Sequence, residues 1–284
     1  MERELTYAQK VEQSINRKFR KKLWNPFIAA IKEYSLIEEN DRIAVCISGG
    51  KDSMCMAKLM QLVHRYTDIP FELEFLVMDP GYNALNRAKI EENARKLEVP
   101  VKIFETDIFD IANTSGGSPC YLCARMRRGH LYAEAKKLGC NKIALGHHAN
   151  DVIETTLLGM FYGSQLQGMM PKLKSTNFDG MELIRPMYKI YEEDVIAWSK
   201  YNDLDFIRCA CRFTENTAFG YGESKRLEIK NLIKELKKTN PGIEDSIMNS
   251  INDVCIDTFP YLKTEGVKHS FLETYNKKEE KGEN

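Results

Sequence analysis

Between residues 41 and 158, short apolar runs alternate with longer stretches in which apolar side chains recur at helical spacing. An apolar run of about five residues is typical of a strand that is buried on both faces of a parallel sheet. Such runs predict strands at residues 43–47, 73–78, 101–106 and 142–145. Helical spacing predicts helices at residues 53–66, 83–97 and 123–138. This alternation indicates an α/β fold with a doubly wound parallel sheet.

The segments that flank this region predict helices and irregular structure. Residues 1–40, 223–238 and 243–258 have helical patterns. Residues 159–222 are rich in Gly and Met and predict irregular structure, apart from a helix near 192–202 and a short strand near 204–207. The pattern therefore predicts an N-terminal helical arm, a main α/β domain, a C-terminal helical extension and a disordered tail, at residues 1–40, 41–222, 223–274 and 275–284.

The transition from the first predicted strand to the first helix carries the most specific motif, Ser48-Gly49-Gly50-Lys51-Asp52-Ser53. A strand, a glycine turn and a helix together place free backbone N–H groups and the positive end of a helix beneath a phosphate. The glycines let the backbone approach the anion, Lys51 adds positive charge, and Ser48 and Ser53 add hydroxyl donors. The motif differs from a Walker A loop, because Asp52 stands where that loop has Ser or Thr. An ordinary glycine turn without a ligand is the alternative.

This motif resembles the PP-loop of the N-type ATP pyrophosphatases, which cleave ATP between its α and β phosphates and adenylate an oxygen of their substrate. The resemblance implies that the loop binds ATP and that Lys51 and Asp52 are catalytic. Further nucleotide contacts are expected from the ends of later strands, where ligands of doubly wound sheets bind. The expected ATP-binding residues are Ser48, Gly49, Gly50, Lys51, Asp52, Ser53, Asp79, Gly146 and His147. For Asp79 and His147, a core or hydrogen-bonding role is the alternative.

A second strand-to-helix transition carries two carboxylates. Asp151 and Glu154 are three residues apart, so a helix presents both on the same side. Two carboxylates beside an ATP site suit Mg²⁺, which prefers oxygen ligands and substrate phosphates. The alternative is an acidic helix start that favours the helix dipole. PP-loop enzymes that modify tRNA carry a similar Leu-Gly-His-…-Asp-…-Glu-Thr block, and this resemblance favours Mg²⁺ and a catalytic Asp151.

The charge of the chain excludes a globally basic nucleic-acid-binding protein, since 41 Lys and Arg balance 41 Asp and Glu. A basic patch must therefore be local. One cluster lies in the arm, at Arg17, Lys18, Arg20, Lys21 and Lys22, and it is either a solvated face or a contact with RNA phosphates. No apolar run approaches the roughly 20 residues of a membrane helix, and the N-terminus has no secretory pattern, so we expect a cytoplasmic protein without a membrane partner.

The eight cysteines divide into two groups. Cys46, Cys55, Cys140 and Cys255 lie in apolar or helical surroundings and are predicted to be core residues. Cys120 and Cys123 are three residues apart, and a second pair, Cys209 and Cys211, follows later in the chain. Reduced cysteines at such spacing suit zinc, an iron–sulfur cluster or a redox pair, and spacing alone does not decide among them.

The order of the motifs narrows the resemblance. The PP-loop, the Cys-x-x-Cys-…-Arg-Arg-Gly block, the Leu-Gly-His-His block and Ile184-Arg185-Pro186 follow one another as in the tRNA 2-thiocytidine synthetases (TtcA family), over roughly residues 10–215. This family holds a [4Fe–4S] cluster on three cysteines, and its fourth iron carries sulfur. The resemblance implies Cys120, Cys123 and Cys209 as ligands. Cys211 is the alternative third ligand, because the family usually has Cys-x-x-Cys where this chain has Cys209-Ala210-Cys211.

The resemblance implies an ATP-dependent tRNA sulfurtransferase. The C2 oxygen of a cytidine, at position 32 of tRNA, attacks the α-phosphate, and sulfur then replaces the adenylated oxygen and releases AMP. The implied cofactors are ATP, Mg²⁺ and the cluster, and the implied partners are tRNA, a sulfur donor such as a cysteine desulfurase and, in a homodimer, a second copy. The expected tRNA contacts are Arg17, Lys18, Arg20, Lys21, Arg127 and Arg128.

Three alternatives remain open at this point. A PP-loop ligase of the tRNA lysidine synthetase type would adenylate a base, but it has no need of Cys120, Cys123 and Cys209. A non-catalytic, zinc-stapled RNA-binding module would use the cysteines, but it would not explain the glycine turn. The third alternative is thiolation of a different base or of a small molecule.

Overall fold

The structure is a computed structural model that describes residues 4–109, 119–207, 225–273 and 275, without the side chains of 119–124. Two units are present, Met1–Asn231 and Leu232–Asn284. Within the described part of the chain, no helix is both long enough and apolar enough to cross a membrane. The predicted tail lies outside the described residues except for Tyr275.

A six-stranded sheet forms the centre of the first unit. Its strands are β1 (Arg42–Ile47), β2 (Glu72–Asp79), β3 (Val101–Glu105), β4 (Lys142–Ala144), β5 (Lys172–Lys174) and β6 (Glu182–Ile184). Their order across the sheet is β3-β2-β1-β4-β6-β5, and every neighbouring pair is parallel except β5 and β6. The predicted α/β fold with a mostly parallel sheet is therefore confirmed, with one antiparallel edge strand added.

Helices precede the sheet, connect its strands and follow it. They are α1 (Tyr7–Asn16), α2 (Asn25–Glu33), α3 (Lys51–Tyr66), α4 (Ala84–Lys96), α5 (Pro119–Lys137), α6 (Ala149–Tyr162), α7 (Glu192–Tyr201) and α8 (Lys225–Thr239). A π-helical segment, Arg20–Trp24, leads directly into α2. The second unit contains α9 (Ile243–Asn252), a 3₁₀ turn (Ile256–Thr258) and a hairpin of β7 (Tyr261–Thr264) and β8 (Val267–Ser270).

Four sequence expectations about these elements are wrong. Strands β5 and β6 lie within the stretch that the sequence predicts as irregular, and the hairpin β7–β8 lies within the predicted helical extension. Residues 204–207 form no strand, because their backbone bonds to neighbouring helices: the N–H of Leu204 donates to Ser199 O, and Asp205 O accepts from the side chain of Asn93. The helix expected over 243–258 ends at Asn252 and gives way to the 3₁₀ turn.

The central strand β1 is buried on both faces, which explains its uninterrupted apolar run. Successive side chains of a strand point to opposite faces. Ala44 and Cys46 pack in one core cluster with Tyr132 and Ala135 of α5. Helix α3 packs against β1 as well, and the remaining β1 residues, such as the fully buried Val45, supply the second face. Helices on both faces hold the end of β1 at the middle of the sheet.

The N-terminal arm is bonded to the helix that follows β1. Lys58 of α3 is only 1% exposed, and its ammonium donates to Glu12 Oε1 of α1, to Gln61 Oε1 and to Leu97 O, each at 2.8 Å. Arg65 donates to the other oxygen of Glu12 at 2.7 Å. Because a buried charge that loses its partner is strongly destabilising, these bonds fix α1 against α3.

Candidate nucleotide-binding site

The loop between β1 and α3 has the geometry of an anion-binding turn. Helix α3 begins at Lys51, and Gly50 precedes it in an extended conformation without a capping side chain. The N–H groups of the first helical turn have no intrahelical acceptors, so they are available to a bound anion at the positive end of the helix.

Hydroxyl groups close this loop from inside. Ser53 Oγ donates to Gly50 O at 3.0 Å and accepts from the N–H of Ser48 at 3.1 Å. The hydroxyl oxygen of Ser48 lies 3.2 Å from Ser53 Oγ. Ser53 is therefore a buried brace of the loop as well as a candidate phosphate contact.

Glycine is required at two positions around the loop. Gly49 has a φ of +84°, in the left-handed region that other residues rarely adopt. A Cβ on Gly146 would lie 3.2 Å from the backbone N of Ser53. Gly146 thus allows the chain after β4 to lie directly against the first turn of α3.

A cavity of about 360 Å³ opens beside the loop, within the size range of small-molecule sites. Its lining includes four parts of the predicted site, namely the loop, the chain after β4, the end of β2 and helix α5. The lining residues from these parts include Ser48, Asp52, Ser53, Met78, Arg127, Arg128, Gly146 and His147. The structure therefore brings together residues that are almost a hundred positions apart in the sequence.

Tyr82 connects the helix of the clustered cysteines to the loop. Its hydroxyl accepts from Arg127 Nη2 at 3.3 Å and donates to Ser48 O at 3.5 Å. Cys120 and Cys123 belong to the first turn of α5, and Arg127 follows one turn later. At 1.5 Å of rise per residue, the backbone of Cys123 lies roughly 6 Å along the helix axis from Arg127.

Asp79 stabilises its own turn. One carboxylate oxygen accepts the N–H groups of Gly81 at 2.9 Å and Tyr82 at 2.7 Å, and the other accepts from Arg87 at 2.6 Å. Burial opposes ionisation of Asp79, but these bonds outweigh it and lower the pKa of its carboxyl group. In this structure Asp79 has the hydrogen-bonding role, and it is not among the residues that line the cavity.

Two polar atoms around the cavity have no hydrogen-bond partner within the described part of the chain. They are Asp52 Oδ1 and His147 Nδ1, and both are buried. Burial lowers the pKa of His147 to about 4, so its imidazole is neutral at neutral pH. A buried polar atom without a partner is unfavourable, and such atoms mark places where a ligand or ion completes the hydrogen bonding.

Lys51 is held between two carboxylates. Its ammonium lies 3.0 Å from Asp52 Oδ2 and 2.9 Å from Glu192 Oε1. Burial favours the neutral acid, yet the bond and charge of Lys51 and the charge of Lys230 lower the pKa of Glu192 to about 2. Sequence reasoning missed Glu192, because an acidic residue that begins a helix, here α7, has an ordinary explanation in the helix dipole.

The second predicted pair of carboxylates lies against basic side chains of α8. Arg226 donates through Nη2 to Asp151 Oδ1 and through Nε to Glu154 Oε2, the latter at 2.6 Å. Lys230 lies 3.6 Å from Glu154 Oε1. Among the described residues, no three His, Cys, Asp or Glu side chains are grouped so as to hold a metal ion. Neither Arg226 nor Lys230 was predicted as a site residue.

The remaining cysteines differ in burial. Cys46, Cys55 and Cys140 are buried, and burial raises the pKa of Cys46 to about 12 and that of Cys140 to about 11. They are therefore inert core thiols, as expected. Cys255 is exposed, so its prediction as a core residue is wrong. Cys209 and Cys211, the candidates for the third cluster ligand, lie outside the described residues.

The basic cluster of the arm lies at a different place on the first unit. Arg17 and Lys18 line a separate cavity together with Tyr201, and the Lys18 ammonium lies 3.7 Å above the Tyr201 ring. Arg20 and Lys21 are exposed residues of the π-helical segment. None of these four residues lines the cavity beside the loop.

Comparison with known proteins gives matches over most of the chain. The PP-loop domain family matches residues 11–212. The tRNA-cytidine(32) 2-sulfurtransferase of Geobacter sulfurreducens is 34% identical over 237 residues, which cover 82% of this chain and 90% of that protein. The enzyme of the same name from Aliivibrio fischeri strain MJ11 is 36% identical over 255 residues, covering 88% and 80% of the two chains.

The fold is shared with a solved structure. It is the U34-tRNA thiolase NcsA from Methanococcus maripaludis with its [4Fe-4S] cluster, which has a TM-score of 0.62 at 20% identity. The match covers 87% of this chain and 78% of that chain. At this identity the likeness establishes the architecture of the sheet and its helices.

Proposed function

Since this chain belongs to the PP-loop domain family and, within it, to the family of the tRNA-cytidine(32) 2-sulfurtransferases, we propose that it thiolates a cytidine of tRNA at the expense of ATP. ATP is cleaved to AMP and pyrophosphate, and sulfur replaces the C2 oxygen of the base. The expected target is cytidine 32, the position that the names of its relatives give.

The loop after β1 binds the phosphates of ATP. The first-turn N–H groups of α3 face the developing negative charge on the leaving pyrophosphate, and Lys51 adds a cation that Asp52 and Glu192 hold in place. The C2 oxygen of cytidine forms a bond to the α-phosphorus, and the bond to pyrophosphate breaks. Gly49 keeps the backbone close enough for this contact.

Asp52 is the residue that best fits a Mg²⁺ ion bound with the nucleotide. Its Oδ1 is a buried carboxylate oxygen without a hydrogen-bond partner among the described residues, and Asp52 belongs to the cavity lining. Mg²⁺ is commonly held by one or two carboxylates together with substrate phosphates, whose charge it neutralises. Asp151 and Glu154, the two carboxylates that the sequence predicts as Mg²⁺ ligands, already have a basic partner in Arg226.

The first turn of α5 supplies two of the proposed cluster ligands, Cys120 and Cys123, and Cys209 is the proposed third. When bound, a [4Fe–4S] cluster with three cysteine ligands leaves one iron position open, and this position carries the sulfur for transfer. Arg127 and Arg128 line the cavity one turn further along α5, where they are placed to meet phosphates of the tRNA anticodon loop.

Partners follow from this chemistry. The arm, through Arg17, Lys18, Arg20 and Lys21, contributes a further contact with tRNA phosphates. Sulfur comes from a donor of the cysteine desulfurase type, and the enzyme acts in the cytoplasm, where its substrate is. A homodimer would place two such arms on one assembly.

A single observation supports this proposal most strongly. The helix that begins with Cys120 and Cys123 lines the same cavity as the phosphate loop, and Tyr82 joins the two through Arg127 and Ser48. An adenylated base bound there lies next to the place where sulfur would be delivered.

The test is anaerobic purification followed by iron and sulfide assays, and mass spectrometry of nucleosides from tRNA incubated with the enzyme, ATP and inorganic sulfide as the sulfur source. We expect about four irons and four sulfides per chain, together with ATP-dependent 2-thiocytidine. Cys120→Ala and Cys123→Ala should lose both the iron and the product. Cys255→Ala is the matched control, because it removes an exposed thiol that the proposal does not use.

Two results would contradict the proposal. Zinc without iron in the anaerobic protein would exclude the cluster. ATP-dependent attachment of an amine to the base, without thiolation, would identify a ligase instead.

A further inference from the structure

We propose that Arg226 is the built-in counter-cation of Asp151 and Glu154, and that it positions Asp151 at the nucleotide site where a metal ion would otherwise be expected. This inference rests on the proposed function, since it concerns the same site. It differs from the sequence-based expectation, in which Asp151 and Glu154 hold Mg²⁺.

The guanidinium of Arg226 bridges the two carboxylates with separate N–H groups. Nη2 donates to Asp151 Oδ1, and Nε donates to Glu154 Oε2 at 2.6 Å. Such charge-assisted bonds from a planar fork fix the direction of both acceptors. Glu154 is only 2% exposed, so its charge depends on a protein cation in this arrangement.

All four carboxylate oxygens of the pair have a partner. Besides the two oxygens on Arg226, Asp151 Oδ2 accepts the N–H of His148 at 3.0 Å, and Glu154 Oε1 lies 3.6 Å from Lys230. Mg²⁺ demands near-octahedral coordination at about 2.0–2.1 Å, so it would have to displace these groups. Asp52 Oδ1, in contrast, is buried without a hydrogen-bond partner in the described part of the chain, and it lies 3.9 Å from His148 Nε2.

The charge pattern of the site leads to the same assignment. Three cations, Lys51, Arg226 and Lys230, face four carboxylates, Asp52, Asp151, Glu154 and Glu192. Each cation bridges two carboxylates, so the ion pairs form one chain from Asp151 to Asp52. This chain of ion pairs carries one excess negative charge and has a carboxylate at each end, Asp151 and Asp52. Of these two, Asp52 lines the cavity beside the phosphate loop and Asp151 does not. A divalent cation is therefore expected with Asp52 and ATP, and not between Asp151 and Glu154.

The same chain of ion pairs gives Arg226 a positioning role. The Lys230 ammonium lies 3.6 Å from Glu154 and 3.2 Å from Glu192. Glu192 in turn pairs with Lys51. The first turns of α8 thereby connect the carboxylates at the start of α6 to the cation of the phosphate loop. Removing Arg226 frees Asp151 to turn and leaves the buried Glu154 without its main partner.

The experiment measures thermal unfolding of the full chain in EDTA and in increasing MgCl₂, without nucleotide. We expect no magnesium dependence for the wild type. Arg226→Ala should unfold roughly 5 °C lower in EDTA and should regain stability as magnesium rises, because two carboxylates without their cation bind a divalent ion. Adding Glu154→Gln to this variant should abolish the magnesium response.

Lys225→Ala is the matched control. Lys225 precedes Arg226 on the same helix and is exposed. It pairs with Glu228 on that helix, and its ammonium lies 4.7 Å from the centre of the Tyr162 ring. This variant should show no magnesium response and only a small loss of stability, because both contacts are at the surface. Arg226→Lys, which keeps the charge but not the fork, should restore part of the stability and reduce the magnesium response.

Kinetics distinguish positioning from simple destabilisation. At a temperature where all variants are folded, Arg226→Ala should lower kcat for pyrophosphate release by on the order of tenfold, with little change in KM for ATP. A structural role alone would leave kcat of the folded enzyme unchanged, and that result would overturn the positioning role.

Two stability results would overturn the assignment of the cation. One is magnesium-dependent stabilisation of the nucleotide-free wild type that Asp151→Asn abolishes. The other is an Arg226→Ala variant that matches Lys225→Ala in EDTA and in magnesium. Both measurements are independent of tRNA and of the cluster, so they remain decisive even if the wild type makes no 2-thiocytidine.

Discussion

Replacing Gly49 by alanine tests whether the backbone of the phosphate loop requires glycine. The φ of Gly49 is +84°, and a left-handed conformation costs a residue with a Cβ about 1–2 kcal/mol. The new methyl group would also lie 2.5 Å from Ile90 Cγ1 and 2.8 Å from Ile207 Cδ1. Ile90 is fully buried in α4, so it has little room to withdraw.

The structure sets the magnitude of the effect. Moving the Ile90 side chain away from its rotamer adds about 0.5–1.5 kcal/mol. Together with the backbone term, Gly49→Ala should lower the free energy of unfolding by about 2–3 kcal/mol. Gly50 offers the matched control, because its φ is −82° and a Cβ there would have no neighbour closer than 3.7 Å. Gly50→Ala should cost only about 0.5–1 kcal/mol, because Gly50 is the N-cap residue of α3 and alanine is a poorer N-cap than glycine.

Urea unfolding followed by tryptophan fluorescence is the appropriate assay. The chain has two tryptophans, Trp24 and Trp198, and both lie in the first unit, so the signal reports on the unit that contains the loop. A shift of the midpoint at constant slope is read as a change in stability. In an Ile90→Ala background the contact with Ile90 is absent and Ile207 is the remaining close neighbour, so the cost of Gly49→Ala should fall toward the backbone part of about 1–2 kcal/mol.

Equal stability of Gly49→Ala and Gly50→Ala would refute this reasoning. It would mean that the loop adopts another backbone conformation at Gly49. A cost that stays unchanged in the Ile90→Ala background would refute the steric part alone.

The other predictions concern the charged and titratable groups of the first unit. Glu192→Gln should reduce kcat/KM for ATP by about tenfold, or ~1.4 kcal/mol, because Lys51 loses its second carboxylate, and pyrophosphate release measures this. Burial holds the folded-state pKa of His147 near 4, below its ordinary 6.5, so the unfolded chain binds the extra proton. Stability should therefore be complete above pH 6.5 and fall as the pH drops from 6.5 to 4, and His147→Gln should flatten this fall in urea titrations. Lys142→Met should cost about 3–5 kcal/mol, since it leaves the 4% exposed Asp41 without the ammonium 2.7 Å away. The double variant, Lys142→Met with Asp41→Asn, should recover part of that loss. Equal urea midpoints for Lys142→Met and the double variant would contradict the prediction.

The central elements of the fold could be predicted because their sequence patterns are long and local. The strand β1 is an apolar run, and the helix after it follows a motif that itself fixes the turn. The short strands β5 and β6 have three residues each, too few to establish a period, and they lie within a stretch that the sequence predicts as irregular. The hairpin β7–β8 is exposed and rich in polar residues, so it lacks the alternation of a half-buried strand.

The same distinction between local and distant contacts applies to the site. The phosphate loop is six consecutive residues, and its chemistry is visible in their order. Glu192 follows its partner Lys51 by 141 residues, and Arg226 follows its partner Glu154 by 72 residues. Nothing in the sequence around Glu192 or Arg226 indicates these pairings, since acidic helix starts and basic helix faces are common. Only the folded backbone brings them together.

The bonds of the N-terminal arm affect how the chain folds during synthesis. The hydroxyl of Tyr7 donates to Asn202 O across 195 residues, and Lys22 pairs with Asp194 across 172. At roughly 5–20 residues per second, the ribosome needs on the order of 10–40 seconds to add the partners of Tyr7 and Lys22. Helix α1 can therefore bond to α3 early, through Glu12, but it completes its contacts only after Asn202 has been made.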